Sequence, residues 1–169
     1  MFNSQILIHS IIITAVVLFL TNCTKESAIQ NYSFVEYFSL SIEDNEFIAQ
    51  IAITPEELSQ GLMFRNNLDE NHGMLFAFDH PKRVSFWMKN VPIPIDIGYF
   101  DSNGRLIEIH SLYPYDEKPV FSKSYTIQYA LEMNQGWYQR NDIKTGSYID
   151  LEKVLKYIQL RKNSLNSKD

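Results

Sequence analysis

The alternation of hydrophobic and polar residues predicts β-strands along much of this chain. In the stretch FIAQIAIT, apolar residues at every second position predict one buried strand face, formed by Phe47, Ala49, Ile51 and Ile53. The apolar runs GMLFAF and YTIQYALEM also have the composition of strands. We therefore predict a mainly-β single domain over residues 34–151, built as a sandwich or a barrel-like structure.

Two segments depart from this pattern and predict helices. In TPEELSQGL, Thr54 can cap a helix, Pro55 suits its first position and Glu57 can complete a capping box, which predicts a short helix near 55–61. Apolar residues at helical spacing predict a C-terminal helix and frayed tail over residues 152–169, packed on the domain. These apolar residues are Leu151, Val154, Leu155 and Ile158.

A hairpin is predicted in IDIGYFDSNGRLIEIHS, where two β-rich segments flank the residues Asp101–Gly104. Asn103 and Gly104 form the pair that a type I′ turn prefers, because both central residues of that turn have positive φ. We therefore predict that these two strands are neighbours joined by a type I′ turn.

The N-terminus has a different composition from the rest of the chain. Residues 1–22 contain no Asp, Glu, Lys or Arg, and Ile6–Leu20 is almost entirely apolar. This run of about 15 residues is shorter than the roughly 20 that a membrane-spanning helix needs. It has the length of the apolar region of a secretory signal peptide, which we predict for residues 1–22.

Leu20–Cys23 follows at once and resembles a bacterial lipobox, the motif in which a cysteine receives lipid and becomes the mature N-terminus. We expect lipidation at Cys23, a polar tether over residues 23–33, and attachment to the inner or outer membrane, facing the periplasm or the cell surface. An uncleaved anchor or a buried cysteine is the alternative interpretation. Because Cys23 is the sole cysteine, an intramolecular disulfide is excluded.

Composition and charge narrow the classes of function. The chain has 169 residues, 45% of them hydrophobic, and a formal net charge of −5. This acidic balance argues against a nucleic-acid partner, which needs a basic surface to neutralise phosphates. The sequence contains no ligand-spaced His or Cys motif and no nucleophile elbow, so we expect a monomer without metal or cofactor, and no catalytic residue is assigned.

The stretch VSFWMKNVPIPID suggests a candidate binding site. Val84–Met88 is predicted to be a strand that places Val84, Phe86 and Met88 towards the core. Regular pairing stops at the following prolines, so Lys89–Pro94 is predicted to form a rim, with Asp96 in the next strand.

Two further charges, Arg65 and Glu132, lie within apolar runs, where burial without a partner would be costly. One interpretation is a structural salt-bridge network of Arg65, Asp96 and Glu132. The other is a pocket for a small polar ligand, to which Trp137 could add an aromatic wall. The ligand-binding candidates are Arg65, Trp87, Lys89, Asn90, Asp96 and Glu132.

Five separated pieces of the chain resemble the prokaryotic family catalogued as domain of unknown function one-nine-two. The resemblance covers roughly residues 45–151 and implies a compact, mainly-β domain of the sandwich type, often behind a signal sequence or lipobox. The family has no established activity, so it supplies no catalytic residue, and Val91 stands where it commonly has threonine. The pieces are Gln60–Arg65, Gly73–Phe78, Phe86–Ile97, Asp101–Leu106 and Tyr129–Gly146.

Three functions are consistent with the sequence. The leading hypothesis is a membrane-anchored binding or accessory domain outside the cytoplasm, for a small polar ligand or a segment of a partner. A hydrolase of envelope polymers could use Asp96 and Glu132 as paired carboxylates, if they lie close together. An envelope scaffold would instead require an exposed apolar stripe on the C-terminal helix.

The lipid anchor can be tested by metabolic labelling with a clickable fatty acid in a bacterial host. We expect the whole chain to be labelled and the Cys23→Ala variant to remain unlabelled, because the acyl groups are attached through this residue. Equal labelling of the two proteins would exclude a lipid on Cys23.

Overall fold

The computed structural model describes residues 33–167. The predicted signal peptide, Cys23, nearly all of the predicted tether and the last two residues lie outside the described residues. This part of the chain forms eight strands, β1 (Phe38–Ile42), β2 (Asn45–Ala52), β3 (His72–Lys82), β4 (Ser85–Phe86), β5 (Ile95–Phe100), β6 (Leu106–Leu112), β7 (Val120–Phe121) and β8 (Ile127–Asn134). It also forms three helices, α1 (Pro55–Gln60), α2 (Trp137–Arg140) and α3 (Leu151–Asn166).

Six strands form one mixed sheet in the order β1-β2-β3-β8-β5-β6, and β4 pairs with β7 in a second, small sheet. Neighbours in the large sheet are antiparallel except β2 and β3, which are parallel. A parallel pair needs a crossover, and the chain between these strands supplies it with α1. The mainly-β prediction is confirmed, but the described sheet is not a closed barrel, because β1 and β6 lie at its opposite edges.

Both faces of the large sheet are buried. The first face includes Phe47 and Leu131 and is covered by α2 and α3. The second face includes Phe76 and Ile97 and is covered by the crossover, by β4 and by the segment between β4 and β5. The predicted face of β2 is confirmed, since its alternating apolar residues all belong to the first face.

The short helix α1 forms for the reasons that its sequence indicates. The Thr54 side chain accepts a hydrogen bond from the Glu57 backbone, and Glu57 Oε2 accepts one from the Thr54 backbone, so the capping box is complete. Gly61 ends the helix at φ 49°, a conformation that a residue without Cβ adopts at little cost. A Cβ there would also lie 3.3 Å from the Phe76 ring.

The β5–β6 hairpin is confirmed, but its turn is not of type I′. Gly104 has φ 77°, whereas Asn103 is not among the residues with positive φ. The Asp101 side chain accepts hydrogen bonds from the backbone of Asn103 and Arg105, and the Gly104 N–H donates to the Asp101 carbonyl. This local bonding by the aspartate favours a turn with one left-handed residue over the mirror-image turn.

The strand predicted over Val84–Met88 is shorter than its hydrophobic pattern suggested. Only Ser85 and Phe86 pair in a ladder, with Phe121 and Val120 of β7. The predicted orientation is nevertheless confirmed, since Val84 and Met88 are buried on the second face and Phe86 packs against it.

Helix α3 lies on the first face. Val154 and Ile158 are buried there and Leu151 is half-buried, while Leu155 is 50% exposed. The exposed apolar stripe that an envelope scaffold would require is therefore not formed, because most of it packs on the sheet.

A buried ion pair between α3 and α1 was not foreseen from the sequence. Arg161 is 1% exposed, and its guanidinium pairs with Glu57 Oε1, while Glu57 Oε2 completes the capping box. The same carboxylate thus fixes the start of α1 and joins it to the C-terminal helix.

No helix within residues 33–167 is long and apolar enough to cross a membrane.

Replacing Arg161 should reveal the contribution of this ion pair. We expect Arg161→Met to lower the free energy of unfolding by about 3 kcal/mol, because it leaves a nearly buried carboxylate without its cation. The exposed neighbour provides the control, since Lys162→Met should change it by less than about 0.5 kcal/mol. Urea unfolding of the whole chain measures both, and equal midpoints for the two variants would contradict the assignment.

Candidate functional site

A cavity of about 450 Å³ lies on the second face of the sheet. Its walls come from the α1 crossover, from β3 between Phe76 and Lys82, and from the segment that contains β4. The crossover that the parallel β2–β3 pair requires therefore forms one side of the cavity. Most of the wall is apolar, including Leu58, Leu62, Phe76, Val84, Phe86 and Val91. An apolar cleft with a few polar groups is the common form of a small-molecule site.

Glu132 is the one acidic residue that lines this cavity. It lies in β8 directly opposite Met74 of β3 and Ile97 of β5, in the middle of the six-stranded sheet. Its chain neighbours Leu131 and Met133 enter the first face, so strand alternation directs Glu132 into the second. The residue is only 4% exposed.

The Glu132 carboxyl has no hydrogen-bond or ion-pair partner within residues 33–167. Desolvation by burial raises the pKa of Glu132 to about 8, although the positive charge of Arg65 opposes this shift. At neutral pH the group is therefore mainly an uncharged acid. In that form it can donate a hydrogen bond into the cavity as well as accept one.

Arg65 does not form an ion pair with Glu132. Its guanidinium donates a hydrogen bond of 3.1 Å to the Tyr37 hydroxyl, and it lines a neighbouring cavity of about 400 Å³ together with Phe64 and His72. The predicted salt-bridge network of Arg65, Asp96 and Glu132 is not formed, and Arg65 influences the carboxyl only through its charge.

Asp96 lies on the other face of the sheet from Glu132. Residue Ile97 is the one opposite Glu132, so Asp96 is directed into the first face, where it accepts hydrogen bonds from Ser111 Oγ at 2.6 Å and Gly136 N at 2.7 Å. The alternative in which Asp96 and Glu132 act as paired carboxylates is wrong, because the sheet separates the two side chains. Asp96 instead fixes the turn before α2.

Trp87 and Lys89 lie beside the mouth of the cavity. Trp87 lines it and is 43% exposed, and the Lys89 ammonium lies 5.1 Å from the centre of the Trp87 ring. This distance is typical of a cation–π contact, which holds the lysine over the outer face of the indole. Of the six predicted ligand-binding candidates, Trp87 and Glu132 line the same cavity.

Asn90 acts through its backbone. It has φ 58°, a left-handed conformation that asparagine tolerates better than most residues, and its carbonyl accepts a hydrogen bond of 2.7 Å from the Phe64 backbone. Phe64 is itself left-handed, with φ 65°. The contact joins the loop after α1 to the loop after β4, and both loops contribute walls of the cavity.

Trp137 belongs to the core rather than to the cavity. It packs on Phe47 of the first face and donates a hydrogen bond of 3.0 Å from Nε1 to Asn71 Oδ1. The possibility that Trp137 adds an aromatic wall to the site is therefore not realised, and its alternative interpretation as a core residue is the one that holds. Core burial is the more common fate of a single tryptophan.

A second pair of titratable groups, Glu108 and His110, serves to order a loop. Glu108 accepts backbone hydrogen bonds from Lys123 and Ser124 and lies 2.8 Å from His110 Nε2. Desolvation by burial tends to raise the pKa of Glu108, but these hydrogen bonds hold it below its ordinary value.

Within residues 33–167, no group of three or more acidic, His or Cys side chains could hold a metal ion.

Two cationic residues of the cavity, Lys82 and Arg83, were missed in the sequence. They lie in the polar stretch Asp79–Arg83, between the apolar runs GMLFAF and VSFWM, and such a stretch is typical of an ordinary turn. Their role depends on how the crossover folds back over the second face, and no local pattern contains that information. Glu132 could be identified as a candidate site residue from the sequence, because a charged residue is unusual within an apolar strand segment such as YALEM.

These features define the chain as a mainly-β domain with a solvent-connected cavity that ends on a buried acid at the centre of its sheet. The chain belongs to the family DUF192, described as Uncharacterized ACR, whose sequence profile matches residues 38–151. The suspected family is thereby confirmed. Helix α3 begins at Leu151, where the match ends.

Two crystal structures are similar to this one. A protein of unknown function from Novosphingobium aromaticivorans DSM 12444 is 32% identical, with a TM-score of 0.61 over 68% of this chain and 83% of that chain. A candidate transcription regulator from Sinorhizobium meliloti 1021 is 29% identical, with a TM-score of 0.64 over 70% of this chain and 97% of that chain. No curated protein matches the chain.

The raised pKa of Glu132 predicts a specific pH dependence of stability. Between the ordinary carboxyl pKa of 4.5 and about 8, the unfolded chain ionises while the folded residue keeps its proton, so stability falls as the pH rises. Glu132→Gln removes this dependence and should gain stability relative to the wild type, on the order of a few kcal/mol, between pH 5 and pH 8.

Urea unfolding of both proteins across this pH range measures the difference directly. Other titrating groups contribute equally to both chains and cancel. Parallel stability curves for the two proteins would show that Glu132 titrates normally.

Proposed function

We propose that this protein is a lipid-anchored binding domain of the cell envelope that holds a small ligand in the cavity above Glu132. The observation that carries the proposal is the buried Glu132 carboxyl, which faces an open cavity without a partner among the described residues. Desolvation of this carboxyl costs stability, because it exchanges the full hydration of the unfolded chain for the limited hydration that the cavity allows. A ligand that accepts a hydrogen bond from it offsets that cost.

The walls specify the shape and polarity of the ligand. Glu132 is the one acidic side chain of the lining, and the rings of Phe76 and Phe86, which line the same cavity, lie in edge contact with centroids 4.9 Å apart. A sugar would leave several hydroxyl groups against these rings without partners. The cavity is better suited to a ligand with an apolar body and a single acceptor, such as a carbonyl oxygen, at its inner end.

The proposed location rests on the sequence before the domain. The apolar run and Leu20–Cys23 support a lipid anchor, and residues 24–32 would separate the anchor from β1. The anchor and the ligand site are independent parts of the proposal, and each has its own experiment.

Two naphthalene compounds of nearly equal shape test the role of Glu132. We expect 1-acetonaphthone, which has a carbonyl acceptor, to bind about tenfold more tightly than 1-ethylnaphthalene, which has none, because one net hydrogen bond contributes about 1–1.5 kcal/mol. Glu132→Leu should remove this preference while still binding both compounds.

The two tryptophans provide an internal control for the binding site. In NMR titrations of the whole chain, the indole N–H signal of Trp87 should shift with each compound, whereas that of Trp137, buried on the other face, should not. A blocked variant, Ser59→Trp, should weaken both ligands at least tenfold, and the exposed helix variant Gln159→Trp should not. Equal affinity in Ser59→Trp and the wild type would refute the cavity as a binding site.

A further inference from the structure

The mouth of the cavity is positively charged although the chain as a whole is acidic. The formal net charge is −5, yet the charged residues that line the cavity are Lys82, Arg83 and Glu132. Glu132 is largely uncharged at neutral pH, since desolvation raises its pKa to about 8. The lining therefore carries a net positive charge that lies at the entrance, because Arg83 is exposed and Glu132 is buried.

Arg83 is held in a fixed position. Its Nε donates a hydrogen bond of 3.0 Å to the Ser122 carbonyl, and its guanidinium lies 4.8 Å from the Phe121 ring centre and 5.4 Å from that of Tyr125. Within residues 33–167, its two terminal nitrogens have no hydrogen-bond or ion-pair partner. A guanidinium that is already oriented loses little entropy when it binds the paired oxygens of an acid.

Lys82 is oriented by an aromatic residue of the same cavity. Its ammonium lies 4.9 Å from the centre of the Phe78 ring, and both residues line the space. The adjacent acid, Asp79, is exposed and lies 3.4 Å from His80. Lys82 forms no ion pair with it within residues 33–167, although a backbone hydrogen bond and, at longer range, the Lys82 charge contribute to lowering the pKa of Asp79. Lys82 and Arg83 both line the cavity, and neither forms an ion pair with a carboxylate within residues 33–167.

We infer that the ligand of this cavity is a small organic anion with an apolar body. Its acid group would bind Lys82 and Arg83 at the mouth, and its body would extend along Phe76 and Phe86 towards Glu132. The inference rests on the proposed function, because it names the class of ligand for the same cavity. An organic cation would meet two like charges at the entrance and an uncharged acid at the base.

The anion preference can be measured with a matched pair on the same ring, 1-naphthaleneacetate and its neutral amide, 1-naphthaleneacetamide. We expect the acid to bind the whole chain about tenfold more tightly at low salt, and the preference to shrink between about 0.05 M and about 0.5 M salt as the charges are screened. Lys82→Gln and Arg83→Gln should each reduce the preference, whereas Lys162→Gln, which lies at a different cavity, should not.

The amide reports on the integrity of each variant. Unchanged amide affinity in Lys82→Gln and Arg83→Gln shows that the cavity remains intact, so a loss confined to the acid belongs to the missing charge. If acid and amide bind the wild type equally and both shift the Trp87 signal, the anion inference is overturned while the proposed function stands. If neither compound, nor the neutral pair above, binds the wild type, the proposed function itself is refuted.

Discussion

The alternation of side chains along β8 is the constraint on which the rest of the structure depends. This strand lies inside a sheet that is covered on both faces, so each of its residues must enter one protein interior or the other. Leu131 and Met133 meet this requirement by packing under the helices. Glu132 enters the second face, where a carboxylate would lose its hydration, so in the folded protein it is largely an uncharged acid with a raised pKa.

The cavity follows from the topology of the neighbouring strands. Because β2 and β3 are parallel, the chain must cross over the sheet between them, and the crossover lies on the second face above Glu132. The capping box of α1 and the ion pair of Glu57 with Arg161 fix one end of this crossover. The Phe64–Asn90 hydrogen bond fixes its other end to the loop after β4. The space between these supports is therefore a stable feature of the fold.

Much of the local structure could be predicted, since it depends on interactions between residues close in sequence. The capping box of α1, the strand face of β2 and the inward orientation of Val84 and Met88 are all short-range patterns. The predicted type I′ turn was wrong, although a turn also depends on residues close in sequence. The Asp101 side chain accepts hydrogen bonds from the local backbone, and this overrides the usual preference of Asn-Gly. The separation of Asp96 from Glu132 required the register of β5 against β8, which no stretch of either strand specifies.

The sequence by itself determined the family, the mainly-β class and the presence of an unusual charge at Glu132, because composition, periodicity and motif are properties of the chain. Only the tertiary structure decided what Glu132 faces. The crossover, the pairing register and the position of Lys82 and Arg83 at the mouth depend on contacts between segments far apart in sequence, where long-range packing, not local preference, sets the free energy.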